Sequence, residues 1–107
     1  MEFSYDTGIY IEGDKKIEGQ VILSQHKLYL KDSKGDIAQT YIPLEKIERI
    51  RKVKGGLEVN VRPSLAYRYT AFIKGKSKRM SELAEEIVKR RGLKKKFLRN
   101  EWIEEVQ

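Results

Sequence analysis

Apolar and polar residues alternate along the first seventy positions with the period of two that marks half-buried β-strands. Phe3, Tyr5, Ile9 and Ile11 fall at odd positions among mostly polar neighbours, which predicts a first strand from Phe3 to Glu12 with Gly8 at a bulge. Gly13 to Lys16 is a polar turn. Ile17 to Ser24 then holds the near-continuous run Val21-Ile22-Leu23, as expected of a more central strand. Ser24-Gln25-His26 makes a tight connection into Lys27 to Lys31, where Leu28 and Leu30 share one face and Tyr29 takes the other. Asp32 to Asp36 carries the Asp, Ser and Gly residues of a turn, and Ile37 to Ile42 returns as a fourth strand that Pro43 ends.

Leu44, Ile47, Ile50 and Val53 are spaced by threes, a pattern open to a short helical turn entering a strand or to a bent strand; the second half reads as strand. Lys54-Gly55-Gly56 supplies a hairpin turn into the strict alternation of Leu57, Val59 and Val61. Arg62-Pro63-Ser64 reads as a further turn, and Ala66 to Ile73 as the last strand. On it Tyr67, Tyr69, Ala71 and Ile73 face one side, and Arg68, Thr70 and Phe72 the other. The period then changes. Met80, Leu83, Ala84, Ile87 and Val88 form the stripe of an amphipathic helix, with Ser77 as its expected N-cap, Lys89-Arg90-Arg91 against its C-terminal dipole and Gly92 as its stop. Leu98, Trp102 and Val106 recur every four residues and predict a second short helix over 93–106.

A chain of 107 residues suits one domain. It divides into residues 1–92, the sheet with its capping helix, and 93–107, a helical extension of the same domain. The sequence has no cysteine, so disulfides, thiol catalysis and cysteine-ligated zinc are excluded. No segment carries the roughly 20 apolar residues that span a bilayer, and no secretory leader pattern opens the chain, so a cytoplasmic location without a transmembrane segment is the expectation. Abundant Lys, Glu, Arg and Ile resembles the usage of hyperthermophile proteins and points to a thermophilic, archaeal or bacterial source. The net charge of +7 is uneven: residues 74–107 hold eleven basic and six acidic side chains, against twelve and ten in residues 1–73.

Gly19, the apolar run Val21 to Ser24, the basic-Leu-Tyr-Leu strand Lys27 to Leu30 and the Ile-Pro-Leu-x-x-Ile corner Ile42 to Ile47 together resemble the pleckstrin-homology-like superfold and its GRAM relatives. The resemblance covers roughly residues 3–91. It implies a mainly β, α+β fold: an antiparallel, partly open barrel of about seven strands capped by the C-terminal amphipathic helix. The N-terminal part is also similar to the first domain of the longer archaeal chemotaxis adaptor family CheF, which couples response regulators to the archaellum.

Many pleckstrin-homology domains bind phosphoinositides through a lysine in the first turn and cations on the second strand. Lys15 and Lys16 occupy that turn here, but Ile17, Glu18, Gly19 and Gln20 follow, and Glu18 repels phosphate. A second cationic feature is the set flanking the helix: Lys76, Lys78 and Arg79 before it, Lys89, Arg90, Arg91, Lys94, Lys95, Lys96 and Arg99 after it. These are candidates for weak contact with nucleic acid or an anionic lipid surface, against the plainer alternative of a solvated charge run. Tyr67 and Tyr69 with Arg68 read either as a stacking platform or as cover for the core. His26, the only histidine, is expected to be exposed, and no serine has a base placed by any motif, so the expectation is a non-enzyme without cofactor or metal. Phe97, Leu98, Trp102, Ile103 and Val106 need an apolar surface to cover them, on their own sheet, on a second copy or on a protein partner. The function expected is a protein-binding or self-associating adaptor module, with polyanion binding by the helix flanks as the alternative.

Overall fold

The computed structural model describes residues 3–32, 37–95 and 101–103. Seven long strands follow one another: β1 (Phe3–Glu12), β2 (Lys15–Leu23), β3 (Lys27–Asp32), β4 (Ile37–Pro43), β5 (Ile47–Val53), β6 (Gly56–Ser64) and β7 (Tyr67–Lys74). A single 3-10 turn, Leu44–Lys46, separates β4 from β5, and helix α1 (Ser77–Arg91) follows β7. Two short strands, β8 (Lys94–Lys95) and β9 (Glu101–Ile103), come last. All pairings are antiparallel, in the spatial order β4-β3-β2-β1-β7-β6-β5-β9-β8, so the sheet curls without closing.

The bulge expected at Gly8 is present, since the register of β1 on β2 shifts between Tyr5 and Gly8. Its chemistry demands glycine: a Cβ there would stand 2.3 Å from Cγ2 of Val21. The inward positions of every long strand meet in one core, which includes Tyr10, Leu23, Leu28, Ile42, Ile50, Leu57 and Ile73. Helix α1 closes that core with Met80, Leu83, Ala84 and Ile87, all buried, on the predicted stripe. Full burial of one such Leu or Ile side chain stabilises by about 1.5–3 kcal/mol. Gly92 adopts φ 79° and ends the helix, its N–H and that of Leu93 donating to the Val88 carbonyl at 2.8 and 3.2 Å.

Four sequence expectations are corrected. The second helix is replaced, within the described residues, by β8 and β9: β9 pairs with β5 through Arg49↔Ile103, Ile50↔Trp102 and Arg51↔Glu101. The open backbone groups of β5 favour strand pairing over the local four-residue repeat. Arg62-Pro63-Ser64 belongs to β6, and the turn is Leu65-Ala66; the register shift between Val61 and Ser64 leaves room for a residue that cannot donate. Ser77 is the first helical residue, and Lys76 holds the cap position without a side-chain bond. The first turn is only Gly13-Asp14, with Lys15 and Lys16 already in β2. At Leu44 to Val53 both alternatives hold in sequence, a 3-10 turn and then a strand.

Candidate functional site

Among the described residues the basic side chains around the helix fall into two groups. Lys76, Lys78 and Arg79 lie at its start and Lys89, Arg90 and Arg91 in its last turn, so that Arg79 and Lys89 stand about 15 Å apart along the axis at 1.5 Å per residue. The arginines are tied to the sheet. Arg79 donates to the Ser4 carbonyl at 2.5 Å, pairs with Glu82 and stacks 4.5 Å from the Phe3 ring centroid. Arg90 donates to the carbonyls of Leu23 (3.1 Å) and Ser24 (2.8 Å) and to Glu86 (3.1 Å). Nε of Arg91 donates to the Ile47 carbonyl at 3.1 Å. Lys89 lies 3.5 Å from Glu86, whose carboxyl is held below the usual range chiefly by the Arg90 hydrogen bond. Lys76, Lys78 and Lys94 are exposed; Lys95 sits in β8; Lys96 and Arg99 lie outside the described residues.

At the start of the helix the phenol of Tyr5 substitutes for a side-chain cap. The Lys76 N–H donates to its oxygen at 3.0 Å, and hydrogen bonds from Thr7 and from that amide lower the Tyr5 pKa. Of the apolar tail candidates, Trp102 and Ile103 have their backbone in β9 on the chain's own β5, whereas Phe97, Leu98 and Val106 lie outside the described residues. Tyr69 packs against the core and Tyr67 is 54% exposed, their ring centroids 5.8 Å apart.

His26 is exposed, as expected, but it belongs to a concavity that its sequence neighbours did not reveal. Gln25, His26, Lys27, Tyr41, Pro43, Leu44, Glu45, Arg90 and Arg91 line a groove of about 520 Å³ where the β2–β3 turn, the end of β4 and the end of α1 converge. The Lys27 ammonium stands 5.4 Å from the Tyr41 ring centroid and 5.8 Å from that of Tyr29. The signal available in the sequence was the Lys-Leu-Tyr-Leu strand itself, whose first cation and aromatic point outward when both leucines point inward.

Tyr41 also marks the free edge of the sheet. Among the described residues no strand pairs with β4 on the side away from β3. The Leu44 N–H donates to the His26 carbonyl at 2.9 Å, and the register continues as Lys27↔Pro43, Leu28↔Ile42 and Tyr29↔Tyr41. Antiparallel pairs alternate between bonded and non-bonded, so Leu28 and Ile42 are a bonded pair and the N–H and carbonyl of Tyr41 face outward. Pro43, which lacks an N–H, occupies the next outward position, where none is needed.

No protein-family model matches this chain, and no curated protein matches it either. Among the described residues no helix is long and apolar enough to cross a membrane, and no three His, Asp or Glu side chains are grouped so as to hold a metal ion.

Proposed function

We propose that this chain is a non-enzymatic, pleckstrin-homology-like interaction module of the cytoplasm that takes an extended segment of a protein partner along β4. The observation that carries this reading is the asymmetry of the sheet: β5 is covered by β9, whereas β4 ends the sheet with the backbone groups of Tyr41 turned outward. A strand edge of this kind binds through main-chain hydrogen bonds, with neighbouring pockets reading the side chains. Polyanion binding by the helix flanks draws less support, because Arg79, Arg90 and Arg91 hold backbone carbonyls and the two clusters sit at opposite ends of α1.

Selection from a displayed library of random linear peptides, followed by amide-shift mapping of the best binders, tests the proposal. Shifts should concentrate on residues 37–43. Tyr41→Ala, which keeps the main-chain donor, should bind within a few-fold of the parent, and Tyr41→Pro, which removes it, should not bind while keeping its thermal transition. Binders that shift the helix instead, or that bind Tyr41→Pro unchanged, would refute the edge as the site.

A further inference from the structure

The groove beside the β4 edge has walls fixed by bonds between separate elements. Ser24 closes the β2–β3 turn, its hydroxyl donating to the Lys27 carbonyl at 3.0 Å and accepting the Lys27 N–H at 3.2 Å. The Leu44 amide ties the 3-10 turn to the same turn, Arg90 grips the carbonyls of Leu23 and Ser24, and Arg91 holds that of Ile47. A cavity fixed in this way loses little conformational freedom when a ligand enters. Its volume of about 520 Å³ is well beyond a bare phosphate and within the range of small-molecule sites.

The lining is chemically mixed in a way that narrows the ligand. Lys27, Arg90 and Arg91 bring positive charge, of which Arg90 is partly balanced by Glu86. Among the described residues the neighbours of the Lys27 ammonium are two aromatic rings, not a carboxylate. Gln25 and His26, both exposed, add side-chain hydrogen-bonding groups. Tyr41 offers a ring that is 56% exposed, a flat surface on which a heterocycle stacks. Among the described residues Glu45 is the only carboxylate in the lining; it disfavours a simple anion yet accepts a hydrogen bond from an amino group.

We propose that this groove binds a mononucleotide, its phosphoryl group held by Lys27 and His26, its base stacked on Tyr41 and an exocyclic amino group of that base bonded to Glu45. The site is distinct from the strand edge in its ligand and shares with it Tyr41 and Pro43.

Calorimetric titration of the full chain with adenosine monophosphate, ribose 5-phosphate and inorganic pyrophosphate tests it. The nucleotide should bind about tenfold more tightly than ribose 5-phosphate, the difference being the stacked base. Lys27→Glu should weaken the nucleotide by about tenfold or more through loss of a charged contact. Tyr41→Ala should remove the preference for nucleotide over ribose 5-phosphate. Thermal transitions of both variants confirm folding, as both positions are exposed. Absence of heat with the nucleotide, equal binding of all three compounds, or unchanged binding by Lys27→Glu would each overturn the proposal. So would binding of single-stranded oligonucleotide alone. Because peptide binding is read by main-chain contacts along β4, Lys27→Glu separates the two sites: it should weaken the nucleotide as above and leave an uncharged peptide bound with unchanged affinity.

Discussion

The two long edges of this sheet share the same backbone chemistry and meet different fates. β5 and β4 both turn side chains into the core, with Ile47 and Ile50 on one and Ile42 on the other fully buried. Yet β5 receives β9 through three register pairs, while β4 has no further strand among the described residues. An uncovered edge is a hazard for aggregation, and here Pro43 removes one outward donor from it. The contrast shows where a binding function can reside: the chain itself has covered one edge and left the other beside a cationic, aromatic groove.

The comparison breaks most severely at the core side of β5. Ile50→Ala should destabilise the protein by about 2–5 kcal/mol, because a buried aliphatic side chain leaves a cavity against Val59 across the ladder. Denaturant melts read this directly, and a loss below about 1 kcal/mol would mean that β5 is not part of the cooperative unit. Next in size is Arg90→Met, expected to cost about 1.5–3 kcal/mol, since two carbonyls and Glu86 lose a charged donor. That variant should also loosen the β2–β3 turn and raise hydrogen exchange near Ser24.

Deleting residues 101–107 sharpens the contrast by making both edges open. The truncated chain should lose about 1 kcal/mol or more and should exchange its β5 amides faster, with β4 amides unchanged. Loss of self-association alone, with exchange in β5 unaltered, would show that the tail serves a second copy rather than its own sheet. Light scattering alongside hydrogen exchange distinguishes these outcomes.

Tyr10, on β1 midway between the edges, gives a pH-dependent reference. Its hydroxyl donates to Glu12 at 2.6 Å, and burial first, then Glu12, pushes its pKa far above the ordinary value. Burial also raises that of Tyr69, whereas Tyr5 moves the other way. A raised phenol pKa stabilises fully while both states are neutral, below about pH 10, and that stability is lost as the unfolded chain ionises above it. Tyr10→Phe should cost about 1 kcal/mol near neutrality and flatten the alkaline slope of stability. An unchanged slope would place the alkaline loss elsewhere. The smallest effect is expected at the open edge: Tyr41→Ala should stay within about 0.5 kcal/mol of the parent, in keeping with an exposed position.

Much of this architecture was legible because it is written in local periods. The alternation of Leu57, Val59 and Val61 and the helical stripe from Met80 to Val88 each reproduce the face that is buried or packed against the core. Pro63 misled because a proline inside a strand is tolerated where the register slips, and register is a property of two strands. The tail misled for a similar reason. A four-residue repeat looks helical until a neighbouring edge presents unpaired groups, and β5 lies some fifty residues earlier in the chain. The groove was the least legible feature. His26, Lys27, Tyr41 and Arg90 come from three separate stretches, and the β3–β4 pairing with the bonds from Arg90 and Leu44 to the β2–β3 turn brings them to one place.

The sequence alone therefore determined the order of the seven long strands and of helix α1, the bulge at Gly8, the helix stop at Gly92 and the positive charge, since steric preference and hydrophobic period act over a few residues. Tertiary structure decided which sheet edge is covered, which arginines serve the scaffold and which cations share a groove with an exposed tyrosine. Those outcomes depend on pairings between residues far apart in the chain, where a backbone carbonyl or a free edge competes for each donor and no local pattern records the winner.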